Sequence, residues 1–333
     1  MPDAPLAPVV AEVRLAVRTA LATLEDAPPR VVVALSGGAD SLALAAATAF
    51  EAKRRGIEVV SLTVDHGLQD GSATIAGRAA EAAEALGIRA LVERVEVDGG
   101  AEGGPEAAAR EARYGALRAL ALREGAPVLL GHTLDDQAET VLLGLARGSG
   151  AASLRGMAPV REDLDGVRWV RPLLGVRRSV TRAACAAEGV AWWDDPHNED
   201  PRYARVRVRN RALPVLEEEL GPGIAEALAR TAEQLREDAE AFDEMIHETI
   251  EDIVEPAEAG IAVSIAALAA NPAALRNRII RLVVASEFGV GLTRRQTLEV
   301  ARLVTDWSGQ GPIDLPSCTA ERAAGRIVFA ARA

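Results

Sequence analysis

Short apolar runs alternate with helical periodicity along the first 150 residues. Val31 to Leu35, Ile57 to Asp65, Ile88 to Val97 and Pro127 to Gly131 have the apolar content and length of buried strands. Asp40 to Arg55, Thr74 to Leu86, Pro105 to Arg123 and Asp135 to Arg147 carry helical patterns between and after them. This rhythm predicts an α/β fold: a parallel sheet with helices on both faces. Ligands in such folds bind at the carboxyl ends of the strands.

Residues 151–215 are mixed, with a short strand near Val167 to Val170 and a helix from about Arg177 to Glu188. A polar loop and an Arg-rich helix start follow. Beyond Glu217 long helical patterns cover Ile224 to Ile253, Pro272 to Glu287 and Arg294 to Asp306, and Gly311 to Phe329 has β-like character. A boundary near residue 216 therefore separates an α/β domain, 1–215, from a smaller, mainly helical domain, 216–333.

Composition narrows the chemistry. The 333 residues suit about two domains. Lys53 is the single lysine beside 36 arginines, and it lies in a charged run far from any phosphate loop. A Walker loop, a kinase site or a Schiff-base enzyme needs a placed lysine, so these classes are excluded. Cys185 and Cys318 are too far apart for a CxxC pair, a disulfide framework or a Cys-rich zinc site. The net charge of −12 argues at first against a polyanionic partner. Its distribution reverses that argument. Residues 217–258 hold 15 acidic and 2 basic residues, so the remainder is nearly neutral, with arginines clustered between Arg202 and Arg211. The start of the chain lacks a signal-peptide pattern, and its most apolar run, Leu42 to Phe50, is too short to span a bilayer. No membrane association and a cytoplasmic location are expected.

Three strand ends carry candidate chemistry. Ser36-Gly37-Gly38-Ala39-Asp40-Ser41 follows the first strand and opens a helix. Consecutive glycines admit positive φ and close approach of a ligand, and the helix start presents free amides to an anion. Asp40 suits a metal beside phosphates, since a carboxylate is useful there through a cation. Asp65-His66-Gly67-Leu68 ends the second strand and reads equally as a turn. His132-Thr133-Leu134-Asp135-Asp136-Gln137-Ala138-Glu139-Thr140 follows the fourth strand. Helical spacing puts Asp136 and Glu139 on one face, where two carboxylates suit an ammonium or a divalent metal. Helix capping explains part of this pattern but requires neither His132 nor Glu139. Arg110 and Arg113 share a helix face, and Arg147 precedes a Gly cap. Arg205, Arg207 and Arg209 suit phosphates, or equally salt bridges with neighbouring acids.

The SGGADS string resembles the PP-loop of the N-type ATP pyrophosphatases, which cleave ATP between the α and β phosphates. The ordered set resembles the tRNA(Ile)-lysidine synthase family, in its short form. That set comprises SGGADS at 36–41, DHGL at 65–68, ARxxRY ending at Tyr114, HxxDDQAET at 132–140, RGSG at 147–150, GM at 156–157, RPLL at 171–174 and the WxDDPxNxDxxYxRxRxR segment ending at Arg209. His197 and Val206 depart from the family pattern, where Ser and Asn are usual.

The resemblance implies a PP-loop ATPase, Rossmann-like, with a tRNA-contacting C-terminal domain. It implies a ligase converting the wobble cytidine of tRNA(Ile) with a CAU anticodon to lysidine, using ATP, Mg²⁺ and free L-lysine. On that basis Ser36, Gly37, Gly38, Ala39, Asp40, Ser41, Asp65 and His66 would bind ATP, with Asp40 at Mg²⁺. Asp136 and Glu139 would bind the lysine ammonium and help it lose a proton. Arg110, Arg113 and His132 would face developing charge, beside Asp40 and Asp136 as catalytic residues. Arg147, Arg205, Arg207 and Arg209 would contact tRNA, and a homodimer stays open. The alternative is another PP-loop tRNA-modifying enzyme such as a thiolase, which typically uses paired cysteines. A glutamine-dependent amide ligase would need an ammonia source, and a non-enzymatic tRNA-binding protein would not need Asp40, Asp136 and Glu139 together.

Overall fold

Three consecutive valines, Val31 to Val33, are fully buried in strand β1 (Arg30–Ala34). Their side chains alternate between faces: Val31 and Val33 join one apolar cluster, and Val32 joins another. A strand with two apolar faces must be covered twice, so helices pack on both sides of it. The structure is a computed structural model describing residues 6–24, 28–67, 71–96, 104–148, 151–257 and 260–332. Leu68, Val97, Ser149 and Gly150, named in the sequence patterns, lie outside the described residues.

Helix α1 (Pro8–Ala22) precedes β1, and α2 (Ala39–Lys53) follows it. The alternation continues through β2 (Glu58–Asp65), α3 (Ser72–Ala85), β3 (Arg89–Arg94), α4 (Gly104–Glu124), β4 (Val128–Leu129) and α5 (Leu134–Ala146). Then come α6 (Ala151–Leu154), β5 (Val160–Glu162), β6 (Arg168–Val170) and α7 (Arg178–Glu188). The sheet order is β3-β2-β1-β4-β6-β5, parallel except for β5 against β6. β5 was not anticipated, because its three residues are exposed and show no apolar alternation. β1 lies between β2 and β4, so the chain leaves it toward one side and returns on the other. The carboxyl ends of β1 and β4 therefore border the crevice at which such sheets bind ligands.

A 3₁₀ turn at Pro196–Glu199, α8 (Ala204–Arg207), a π-turn at Val208–Ala212, α9 (Leu213–Leu220) and α10 (Ile224–Ile253) follow. The chain divides into two compact units, Met1–Arg236 and Glu237–Ala333. The division falls within α10, later than the change of composition near 216. The reason is packing. Ala225 at the start of α10 is buried with Leu134, Ala138 and Leu213, and Arg236 Nη1 donates to the Met157 carbonyl at 2.8 Å.

The C-terminal unit holds β7 (Val254–Ala257), β8 (Gly260–Ser264), α11 (Ile265–Ala270), α12 (Ala273–Phe288), α13 (Arg294–Thr305), β9 (Ile313–Leu315), β10 (Cys318–Ala323) and β11 (Arg326–Ala331). Its strands form an antiparallel sheet in the order β7-β8-β11-β10-β9. The helical reading of this region thus captures α12 and α13 and understates the sheet. β7 contains Pro256, which lacks an amide hydrogen and is tolerated because β7 is an edge strand. That proline hides the strand from a periodicity argument.

Candidate active site

Gly37 has φ +80°, a left-handed conformation that turns the chain from β1 into α2. Gly38 is the helix N-cap in ordinary extended geometry, so positive φ is needed at only one of the two glycines. Gly38 supplies no side-chain cap, which leaves the first amides of α2 for a ligand. Ser41 Oγ donates to the Gly38 carbonyl at 2.9 Å, receives the Ser36 amide at 3.2 Å and lies 3.1 Å from Ser36 Oγ, so the loop is braced from within. The Trp193 amide donates to the Gly37 carbonyl at 3.0 Å. Gly131, after β4, approaches the loop so closely that a Cβ there would stand 3.2 Å from the Asp40 carbonyl group.

Helix α5 opens with a capping box. Thr133 N–H donates to Asp136 Oδ2 at 2.9 Å, and the Asp136 amide donates back to Thr133 Oγ1 at 3.4 Å. The other Asp136 oxygen accepts from Arg178 Nη2 at 2.7 Å and Arg209 Nη2 at 3.4 Å. Burial opposes ionisation of Asp136, yet Arg178, the Thr133 amide and Arg209 outweigh it and hold the carboxyl below its usual range. Such a group holds a cation well and takes a proton poorly. Glu139 is wholly buried, with Oε1 on Arg209 Nε at 2.7 Å and Arg178 Nη1 at 3.2 Å. Its Oε2 meets Arg209 Nη2 at 3.1 Å and Arg205 Nε at 3.3 Å. Asp40 accepts from Thr181 Oγ1 and, at 3.3 Å, from Arg178 Nε. Burial raises its proton affinity despite both donors.

A cavity of about 660 Å³ joins the loop to Asp136, Arg178 and Arg209. Ser36, Gly38, Asp40 and Ser41 line one part, with Asp136, Arg178 and Arg209 beside them. Asp65, His66, Arg113 and His132 line the remainder. Burial opposes ionisation of Asp65, but hydrogen bonds from Ser72 and the Gly67 amide prevail and lower its proton affinity. Arg113 has no carboxylate partner among the described residues, and burial together with Arg110 lowers its proton affinity. It remains a guanidinium, short of negative charge and facing the cavity. His132 is held neutral, its pKa lowered to about 3, chiefly by burial and further by Arg171, Arg110 and Arg113 against Asp136. Its buried Nδ1 has no hydrogen-bond partner among the described residues, as expected of a group directed at a ligand.

Several expectations change in position. Arg110 does not line the cavity. It lies on the Tyr114 ring at 4.9 Å, with Nη2 3.2 Å from the tyrosine oxygen. Glu139 lies outside the main cavity and borders a smaller one of about 150 Å³. Arg205 and Arg209 turn inward to Glu139 on α5, which is neither one of the neighbouring acids nor part of the acidic helix that follows the arginine segment. Arg207 Nη1 donates to the Pro201 and Arg202 carbonyls, both at 2.7 Å, and Arg147 is exposed at the end of α5.

Arg178 was missed by the motif reading. A signal existed: Arg177 and Arg178 open a helix, where the macrodipole disfavours cations, so both require carboxylate partners. Thr181 and Trp193 were missed as well, because their roles arise from contacts remote in sequence.

Residues 12–216 match the family model of a PP-loop domain, and residues 264–328 match that of a TilS substrate binding domain. The chain is 58% identical to tRNA(Ile)-lysidine synthase of Leifsonia xyli subsp. xyli, over 90% of this chain and 89% of that one. It is 51% identical to tRNA(Ile)-lysidine synthase of Rhodococcus erythropolis, over 98% and 95% of the two chains. Among solved structures, U34-tRNA thiolase NcsA from Methanococcus maripaludis, with its 4Fe-4S cluster, aligns with TM-score 0.58 at 21% identity. That match covers 69% of this chain and 79% of the thiolase, and at this identity it shows a common fold alone.

Proposed function

The chain belongs to the tRNA(Ile)-lysidine synthase family, and we propose on that premise how its N-terminal cavity carries out lysidine formation. ATP adenylates O2 of the wobble cytidine in the CAU anticodon of tRNA(Ile), releasing pyrophosphate. The ε-amine of free lysine then attacks C2, and AMP leaves. The observation that supports this assignment is the shared cavity: helix-start amides, Arg113 without a carboxylate partner among the described residues, a neutral His132 and the Asp136 carboxylate all border it.

The amides of the 36–41 loop receive the ATP phosphates, with hydroxyls from Ser36 and Ser41. Arg113 meets negative charge developing on the phosphate or the base, and His132 donates or accepts a hydrogen bond there as a neutral imidazole. Asp136 borders the main cavity, so it receives the lysine ammonium. Glu139 acts behind it by holding Arg205 and Arg209. Asp40 fits a role at Mg²⁺: its raised proton affinity marks a carboxylate that gains from added positive charge. No group of three or more His, Cys, Asp or Glu side chains that could hold a metal ion exists among the described residues. The ion would neutralise charge on the ATP phosphates.

Neither cysteine suits the thiolase alternative. Cys185 is buried, its Sγ 3.3 Å from the Ala39 carbonyl, and burial with Asp40 and Glu188 pushes its thiol up to about 11. Cys318 is buried in the apolar core of the C-terminal unit. No helix among the described residues is long and apolar enough to cross a membrane.

The test is incubation with ATP, labelled lysine and tRNA(Ile) bearing CAU, in parallel with a tRNA bearing another anticodon. Lysine transfer to the first alone is expected. No transfer overturns the function, and equal transfer to both overturns the specificity.

A further inference from the structure

Arg178 is the first residue of α7, where a guanidinium opposes the helix dipole. Its placement is enforced at both ends. The backbone N–H donates to Asp135 Oδ2 at 2.7 Å, and the side chain reaches three further carboxylates. Nε meets Asp40 at 3.3 Å, Nη2 meets Asp136 at 2.7 Å and Nη1 meets Glu139 at 3.2 Å. Each nitrogen of one planar fork thus serves a different acid.

A purely structural salt bridge would not need this arrangement. Every acid concerned has another partner: Thr181 on Asp40, Thr133 and Arg209 on Asp136, and Arg205 and Arg209 on Glu139. What Arg178 adds is the connection. Among the described residues it is the one side chain that bonds both to Asp40, at the head of the phosphate-loop helix, and to the acids of α5. It also lines the cavity between them.

We propose that Arg178 is a positioning residue that couples the ATP site to the amine-recognition site by sharing one guanidinium among Asp40, Asp136 and Glu139. This rests on the functional reading above and deepens it. When the cation that accompanies ATP draws on Asp40, or an amine draws on Asp136, the fork would redistribute its hydrogen bonds, so occupancy at one site alters the other. A lysine side chain cannot replace it, because a compact ammonium lacks the planar fork that meets three acids.

The test is steady-state lysidine formation on tRNA(Ile) bearing CAU, with the KM values for ATP and lysine measured separately. Arg178→Lys is expected to raise both KM values about tenfold, the scale of one lost charge-assisted hydrogen bond. Thr181→Val, which removes a donor from Asp40 and touches neither α5 acid, is expected to raise the ATP value strongly and the lysine value to a smaller extent, through the shared fork. A change in kcat alone, or in only one KM for Arg178→Lys, overturns the coupling. Thermal melting of each variant separates misfolding from a site effect, and if Arg178→Lys fails to fold, Arg178→Gln replaces it with the same expectations. Absence of transfer by the wild type would instead refute the function itself.

Discussion

The N-terminal unit buries Glu51, Asp65, Asp136, Glu139 and Arg171, whereas Thr297 is the one buried polar side chain among the described residues of the C-terminal unit. The C-terminal core is built from residues such as Val263, Leu268, Ile280, Val300 and Phe329. Apolar burial of that kind favours folding without orientation. The charged interior of the N-terminal unit does the opposite: each ion loses hydration and is tolerated only through directed partners. Chemistry accordingly concentrates where burial is costly, and the apolar core contributes stability.

The largest effects should separate these two kinds of interior. Glu139→Ala leaves Arg178, Arg205 and Arg209 around a missing anion, so a loss of about 3–5 kcal/mol is expected. Calorimetric melting measures it, and lysine transfer should fall with it. Phe329→Ala should cost a similar 3–5 kcal/mol through cavity formation in the C-terminal unit. The gentler pair is decisive. Glu139→Gln keeps the shape and removes the charge, and it should still destabilise strongly. Phe329→Leu keeps the apolar character and should cost well below Phe329→Ala. If Glu139→Gln is tolerated, the contrast between the interiors fails.

A smaller effect concerns pH. His132 has its pKa lowered to about 3, below the ordinary 6.5 it regains on unfolding. Between those values the unfolded chain binds a proton that the folded chain excludes. The stability associated with the neutral ring is thus complete above about 6.5 and is lost as pH falls toward 3. His132→Gln should flatten part of that acid slope in melting temperature, and an unchanged slope would contradict the burial of a neutral ring. The smallest expected effect is local. Gly37→Ala forces a side chain to φ +80° and sets its Cβ 3.3 Å from Ala79 Cβ, a strain of roughly 1–2 kcal/mol. It should raise the KM for ATP and leave the melting of the C-terminal unit unchanged.

Much of the N-terminal fold was legible along the chain because its elements are local. The Val31 to Val33 run reads as a strand with two buried faces, and SGGADS reads as a phosphate loop because backbone geometry there depends on adjacent residues. Asp136 and Glu139 were legible as neighbours by helical spacing. Their partners were not. Arg178 lies 39 residues beyond Glu139, and Arg209 lies 70 beyond it, so no periodicity relates them. The same charges read equally well as a tRNA-facing patch. The antiparallel sheet of the C-terminal unit was only partly legible, since β8 pairs with β11 across two long helices and β7 carries a proline.

The sequence by itself determined the alternation of strands and helices, the anion-binding loop, the absence of Walker-type lysine chemistry and the ordered motifs of the family. These follow from local backbone preference, side-chain period and the residues available. Tertiary structure alone decided which arginines neutralise which acids, that His132 is neutral, and that Asp136 faces the cavity with Glu139 enclosed beside it. Those properties depend on distance and dielectric between remote segments, which exist only once the sheet has brought the ends of β1 and β4 together.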